Sequence, residues 1–287
     1  MPQLPYFIGC PSWSDAQWRG GLYSTDTRPA DYLEAYAQVF NAVEGNTTFY
    51  ARPSAETVER WAASMPEHFR FTAKFPRDIS HSDDLRLQLL AAEDFAGLMR
   101  PLGGRVAPFW LQLPAAFGPA RLAELEGFLR EWGKPIAVEV RHSAFFAKGD
   151  EERALNRLLM DLGIERICLD PRALFNCSSD APAVLDAQAK KPRVPPRPAA
   201  FSQAPQVRFI GHPELDANTP FLTPWVNKVA DWIEEGRTPY IFLHTADNRL
   251  APALARRFHE RLMERLPGLP ALFERAPEPE ALQLGLL

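Results

Sequence analysis

Cysteine is scarce in this sequence: three occur among 287 residues, Cys10, Cys168 and Cys177, and no two form a C-x-x-C pair. That spacing excludes a zinc ribbon, and the odd count fits reduced thiols rather than a disulfide scaffold. Long apolar runs are also missing, so no stretch offers the roughly 20 apolar residues a membrane-spanning helix needs. The opening MPQLPYFIGC has no basic region ahead of an apolar one, so a secretory signal is not expected and the expected location is the cytoplasm. Phosphate-binding glycine loops of the G-x-G-x-x-G or Walker A kind do not occur, and neither do the H-x-H and H-E-x-x-H metal spacings. Surplus positive charge is lacking too. With 32 Lys and Arg against 36 Asp and Glu the net charge is −4, which argues against coating nucleic acid by bulk electrostatics but leaves room for a local basic groove.

What is present is an alternation. Short runs rich in β-branched and aromatic residues stand at 6–9, 42–44, 69–75, 108–113, 136–140, 166–170, 207–211 and 240–244. Each is closed by a glycine, proline or polar residue, as a strand buried on both faces would be. Amphipathic segments fill the gaps. Pro29 opens one with Leu33, Tyr36 and Phe40 on a common stripe, and Ser82 is expected to cap another through Leu85, Leu89, Ala92, Ala96 and Met99. Leu122, Leu125, Leu129 and Trp132 form a third stripe. Further helices are expected to stop at Gly163 and Gly236, where glycine suits a left-handed end. Eight strands alternating with helices predict an α/β chain folded as a single (β/α)8 TIM barrel, with a doubly wound sheet as the runner-up. The barrel is expected over residues 1–268, with a long basic insertion at 171–205 after the sixth strand. A Pro-rich tail follows at 269–287.

Several motifs in this order resemble the YecE-like family, a widespread group with a TIM-barrel fold and no assigned function. They include IGCPSWSDAQW (Ile8 to Trp18), EGNTTFY (Glu44 to Tyr50), FRFTAKFPRDISH (Phe69 to His81) and WLQLPAAFGP (Trp110 to Pro119). EVRHSAFFAKG (Glu139 to Gly149), DAQAKKPRVP (Asp186 to Pro195), RFIG (Arg208 to Gly211) and FLHTADN (Phe242 to Asn248) complete the set. The resemblance implies the barrel and carries over no catalytic residues.

In barrel enzymes the site is built at the carboxyl ends of the strands. That rule selects Ser12, Trp13, Glu44, Asn46, Lys74, Gln112, Glu139, Arg141, His142, Asp170, Arg208, His212, His244, Asp247 and Asn248. Glu139 and Arg141 are two apart and share one side of their strand, so Glu139 is the expected acid or base and Arg141 an anion clamp. Glu44, His244 and Asp170 are expected to assist. Lys74, Arg141 and Arg208 together favour an anionic substrate, phosphate-bearing or otherwise. Between Asp186 and Glu214 no acidic residue occurs, whereas Lys190, Lys191, Arg193, Arg197 and Arg208 are basic, so the insertion is expected to close over that anion. Trp13 and Tyr50 are candidates to stack on a ring of the ligand. A hydrolase or lyase fits this set. No cofactor is expected, and a divalent metal held by Glu44, Glu139, Asp170, His142 and His244 is the alternative. The chain ends Gln283-Leu284-Gly285-Leu286-Leu287, similar to short peptides that dock on the bacterial sliding clamp. Through Gln283, Leu284, Leu286 and Leu287 it supports a second expectation, a nucleic-acid-processing or repair accessory. A third is a non-catalytic binding barrel. No membrane partner is expected.

Overall fold

A computed structural model describes residues 4–273, Ala107 excepted. The chain is a mixed α/β protein in which every strand pair is parallel. Strand β1 (Phe7–Gly9) leads to α1 (Tyr32–Ala37), β2 (Ala42–Gly45), α2 (Thr47–Tyr50), α3 (Ala55–Ser64) and β3 (Arg70–Ala73). Next come α4 (Arg77–Ser80), α5 (Leu89–Met99), β4 (Phe109–Gln112), α6 (Leu122–Trp132), β5 (Ile136–Glu139) and α7 (Asp150–Asp161). The strands β6 (Glu165–Arg166) and β7 (Cys168–Asp170) precede α8 (Arg172–Phe175), α9 (Pro182–Lys190) and β8 (Gln206–Ile210). The described chain closes with α10 (Thr219–Glu234), β9 (Tyr240–His244) and α11 (Ala251–Arg265).

The strands fall into three hydrogen-bonded sets, ordered β1-β9-β8-β7, β2-β3 and β4-β5-β6. A continuous barrel ladder, as the strand count predicts, is therefore not found. Single contacts join the sets. Phe75 N–H donates to the Trp110 carbonyl at 2.9 Å, next to the Lys74–Trp110 bridge between β3 and β4. Ile167, between β6 and β7, donates to the Val138 carbonyl at 2.9 Å and keeps the two short strands in line. Between β1 and β2 one backbone bond, Glu44 N–H to the Cys10 carbonyl at 3.0 Å, is supplemented by links through side chains. Asn41 accepts from Ile8 N–H at 2.8 Å and donates to the Tyr6 carbonyl at 2.8 Å. The Tyr36 hydroxyl accepts from Cys10 N–H at 2.6 Å and donates to the Ala42 carbonyl at 2.9 Å. Gly9 makes this approach possible, since a Cβ there would lie 1.9 Å from the Ala42 oxygen. Side chains thus satisfy backbone groups that a ladder would otherwise pair.

The helices bury apolar stripes where the periodicity places them. Leu125, Phe128, Leu129 and Trp132 of α6 are all buried, each worth roughly 1.5–3 kcal/mol of transfer free energy. The left-handed stops at Gly163 and Gly236 are observed, at φ 63° and 80°. The expected Ser82 cap is not. Asp84 accepts from Arg86 N–H at 3.0 Å and starts a short 3-10 turn, Leu85–Gln88, from which α5 continues. The 171–205 insertion is less of a loop than its prolines suggest, because it holds α8 and α9.

Candidate functional site

Strand alternation places every second side chain on a common face of the strands. Ala42, Trp110, Ala137, Tyr240 and Phe242 pack together there with Ile167. Two residues further along their strands from Ala42, Trp110, Ala137 and Phe242 stand Glu44, Gln112, Glu139 and His244. Arg208 occupies the corresponding place on β8, with Gln206 below it. The carboxyl-end layer is polar and the layer beneath it is mostly apolar, so the polar groups must satisfy one another.

They do so in one buried ion cluster. Arg208 grips the Glu44 carboxylate with two parallel bonds, Nη2–Oε1 at 2.7 Å and Nε–Oε2 at 2.9 Å. Its Nη1 donates to Glu139 Oε2, while Arg141 Nε donates to Glu139 Oε1 at 2.8 Å. Lys74 spends its ammonium on Glu44 Oε1 at 3.0 Å, Gln112 Oε1 at 3.2 Å and Asn46 Oδ1. His244 Nε2 lies 2.7 Å from Glu44 Oε2. Beneath them the Trp110 ring centroid sits 5.6 Å from both Lys74 Nζ and the Arg208 guanidinium, a cation–π floor.

Burial alone would raise the Glu44 carboxyl, but Arg208, Lys74 and His244 outweigh it and hold it well below its ordinary value. Glu139 follows the same pattern: burial opposes ionisation, Arg208, Arg141 and Lys74 prevail, and the carboxyl falls to about 2. Lys74 drops to about 8, first through burial and then through Arg208, against the pull of both glutamates, so it stays charged at neutral pH. Burial takes His244 down to about 4 despite Glu44, leaving it neutral. A neutral imidazole facing an ionised carboxylate has to donate. Nε2 therefore carries the proton, and Nδ1 keeps a lone pair with no hydrogen-bond partner among the described residues.

Lys191 follows directly on α9, and its ammonium lies within electrostatic reach of Arg208, Glu44, Arg141 and Lys74. Its backbone N–H donates to the Ala187 carbonyl at 3.0 Å, and its ammonium makes no hydrogen bond to a described residue. Burial, reinforced by Arg208, Arg141 and Lys74 and opposed by Glu44, lowers it to about 7. Counting it, two carboxylates face four cationic side chains. Thr245 Oγ1 and Asn248 Oδ1, beside His244 in the chain, are buried without a partner.

Among the expected site residues, Glu44, Asn46, Lys74, Gln112, Glu139, Arg141, Lys191, Arg208 and His244 come together. Asp170 does not join them by hydrogen bonding. It is held by Arg172 through Nε–Oδ1 at 2.9 Å and Nη2–Oδ2 at 2.7 Å, and by the Trp225 indole at 2.7 Å. His142 caps a 3-10 turn, accepting from Ala144 N–H at 3.2 Å. Trp13 is buried against Trp61 and Phe71 rather than offered to a ring ligand. Tyr50 is 82% exposed, with Phe49 edge-on beside it. The basic run of the insertion divides: Lys190 pairs with Asp186 and Arg197 with Glu152, and Lys191 is left to face the cluster. Trp110, the floor of the cluster, and Thr245 escaped the sequence reading. An aromatic flanked by apolar residues carries no polar signal, and Thr245 follows a strand whose last residue drew the attention. Burial keeps the Cys10 thiol well above its ordinary value and Cys168 at about 12, so neither suits a nucleophile. Among the described residues no group of three or more His, Cys, Asp or Glu is placed to hold a metal ion. Gln283, Leu284, Leu286 and Leu287 lie outside the described residues.

An α/β protein of parallel strands, with a buried ion cluster at their carboxyl ends, is thus the class this chain defines. Residues 7–281 match the family described as "Protein of unknown function DUF72", and the chain belongs to that family. It is 42% identical to the UPF0759 protein YecE of Escherichia coli K12 over 269 residues, covering 93% of this chain and 96% of the relative. The UPF0759 protein YunF of Bacillus subtilis is 25% identical over 178 residues, covering 58% of this chain and 61% of the relative. Among solved structures, a DUF72 family protein of Thermotoga maritima superposes with a TM-score of 0.68 at 21% identity, over 90% of this chain and 98% of the other. One from Enterococcus faecalis gives 0.65 at 18% identity, over 96% and 99%. These likenesses establish the family and the fold, and no substrate. No helix among the described residues is long and apolar enough to cross a membrane.

Proposed function

We propose that the three strand sets form the wall of one (β/α)8 barrel, and that its carboxyl end binds a phosphate-bearing or other anionic small molecule for acid–base chemistry. The feature that carries this reading is Lys191, whose ammonium has no hydrogen-bond acceptor among the described residues and whose charge is opposed by Arg208, Arg141 and Lys74. Arg141 supports it. Its Nε is engaged with Glu139, but its Nη atoms have no partner among the described residues. Both side chains can therefore turn to an anion without giving up an existing bond. Arg208 and Lys74, expected to hold the anion themselves, are taken up by Glu44, Glu139, Asn46 and Gln112 and act as the rigid base beneath it.

The acid–base role moves in the same way. A carboxyl at about 2 between two guanidinium groups does not exchange protons at neutral pH, so Glu139 positions Arg141. His244 is the better proton acceptor. Glu44 fixes its tautomer, and the Nδ1 lone pair is uncommitted.

Inorganic phosphate tests the binding half. Ligand binding at a hundred times Kd stabilises the folded state by about 2.7 kcal/mol, so phosphate is expected to raise the Tm of the wild type. In Lys191→Met, which should fold because the Lys191 side chain makes no hydrogen bond to a described residue, that shift should vanish. No shift in the wild type, or an equal one in Lys191→Met, would sink the reading.

A further inference from the structure

Two lysines share the carboxyl-end site, and they are held in opposite ways. Lys74 gives its ammonium to Glu44, Gln112 and Asn46, and freeing it as an amine would forfeit those buried contacts. Lys191 has no such ties. It is the residue that follows α9, and α9 is seated on the carboxyl ends of the strands. Val184 and Ala187 of that helix pack with Leu169 of β7 and Ile210 of β8, against Ala246 just past β9. The Lys191 ammonium has no hydrogen-bond acceptor among the described residues, and it is also open. Thr245 Oγ1 and Asn248 Oδ1, after β9, are sealed from solvent, whereas Lys191 Nζ is not, and the residue is only partly buried.

An open amine among fixed cations has the makings of a nucleophile. A lysine turns nucleophilic where desolvation or a neighbouring cation favours its neutral form, and Lys191 has both. Burial first, then Arg208, Arg141 and Lys74, outweigh Glu44 and bring it to about 7, so about half of it is free amine at neutral pH. Lys134 and Lys190, by contrast, are tied to Glu93 and Asp186. Arg141 supplies a second handle in the same place. Its Nε is engaged with Glu139, while its Nη atoms have no partner among the described residues and can hold a carboxylate.

We infer that Lys191 is a covalent catalytic residue, forming an imine with the carbonyl group of a small oxo acid whose carboxylate is held by Arg141. The inference rests on the carboxyl end being an anion site, and it names the substrate class and the reacting atom there. The amine, having released its ammonium proton to solvent, adds to the carbonyl carbon. A C–N bond forms, the C=O π pair moves to oxygen, and a proton crosses from nitrogen to that oxygen. The hydroxyl then takes one proton back from solvent and leaves as water, while the nitrogen lone pair closes the C=N bond. The sum is ammonium plus ketone giving iminium plus water, with no change of oxidation state. The iminium draws electrons from the neighbouring carbon and eases removal of a proton there, which suits a lyase.

Cyanoborohydride reduces an imine to a stable secondary amine, so trapping with pyruvate, followed by peptide mass mapping of the full chain, tests the step. At pH 7 the wild type should carry roughly tenfold or more adduct on Lys191 than on Lys74, Lys134 or Lys190, because the others stay protonated. Lys191→Arg, which keeps the charge, should lose that adduct. Acetone, a ketone without a carboxylate, separates holding from chemistry. Arg141→Gln should lower pyruvate trapping at Lys191 about tenfold, the worth of a charged hydrogen bond, and leave acetone trapping as in the wild type. No adduct on Lys191, or adduct spread evenly over the lysines, overturns the imine. If phosphate still raises the Tm in that case, the anion site stands and the covalent step alone falls; if it does not, both fall. An Arg141→Gln variant that traps both ketones as the wild type does, or loses both alike, overturns the assignment of the carboxylate to Arg141.

Discussion

Glu139 and Glu165 are both buried, stand on neighbouring strands, and titrate in opposite directions. At the carboxyl end, Glu139 is bound by two guanidinium groups and lies near Lys74, and it falls to about 2. At the amino end, Glu165 accepts from two backbone N–H groups and a hydroxyl, has Arg237 only at longer range, and rises to about 7. Burial penalises both charges alike. Formal positive charges overcome that penalty, and three neutral donors on one oxygen do not. The two ends differ accordingly in what they can bind. The carboxyl end has fixed its anions and keeps cations in excess, whereas the amino end keeps a hydrogen-bonding carboxyl with little net field.

The sharpest way to break this contrast is at Glu44, which receives Arg208, Lys74 and His244. Glu44→Gln removes the negative charge, leaving Lys74 with no carboxylate in contact and Arg208 with Glu139 alone, so a loss of roughly 3–5 kcal/mol is expected, read as a lower urea midpoint. A loss below 1 kcal/mol would mean that the cluster is solvated and the contrast false. Acid should act on the same groups. The folded values of Glu44 and Glu139 lie below the ordinary carboxylate value, so their contribution is complete above about pH 4.5. It is lost as pH falls from there towards 2.

Glu165 should respond with the opposite sign. Its folded value is raised, so between about pH 4.5 and 7 the folded state holds a proton that the unfolded chain has released. Stability then declines as pH rises, by at most about 1.4 kcal/mol per pH unit from this one group. Glu165→Gln, neutral throughout, removes that decline. Urea unfolding at pH 5 and pH 8 should show the variant gaining on the wild type at the higher pH. A constant difference between the two would mean that Glu165 is already ionised at pH 5.

The unequal legibility of the two ends follows from how each is encoded. Polar residues that close apolar runs, such as Glu44, Glu139 and His244, stand out in the sequence because they interrupt a buried strand, and alternation by two predicts a shared face. Their partners are not readable. Nothing local distinguishes Asp170, taken by Arg172 and Trp225, from Glu139, taken by Arg141 and Arg208. Both are carboxylates followed two positions on by arginine. The strand alternation and most helix stripes were equally visible. The side-chain joints of Asn41 and Tyr36, which replace a β1–β2 ladder, were not, because they depend on contacts between elements. Glu165 carries no such signal. It opens its strand rather than closing it, and the expectation for parallel α/β folds looks only to the other end.

The smallest expected effect tests the cationic surplus itself. Lys191 stands at about 7 when no anion is bound. An anion beside it would return the ammonium towards its ordinary value, so binding above pH 7 must take up a proton. Sulfate is the suitable titrant because it does not titrate in this range. Its affinity should be flat below pH 7 and fall by up to tenfold per pH unit above it, about 1.4 kcal/mol each. Calorimetry at pH 8 in two buffers of different ionisation enthalpy should register uptake approaching one proton per sulfate. Lys191→Arg separates charge from titration. Arginine stays protonated, so the variant should bind sulfate with a pH-independent affinity and no proton uptake. If the wild type binds sulfate without taking up a proton, the anion is held by Arg141 or elsewhere, and Lys191 is not the residue that makes this end of the molecule an anion site.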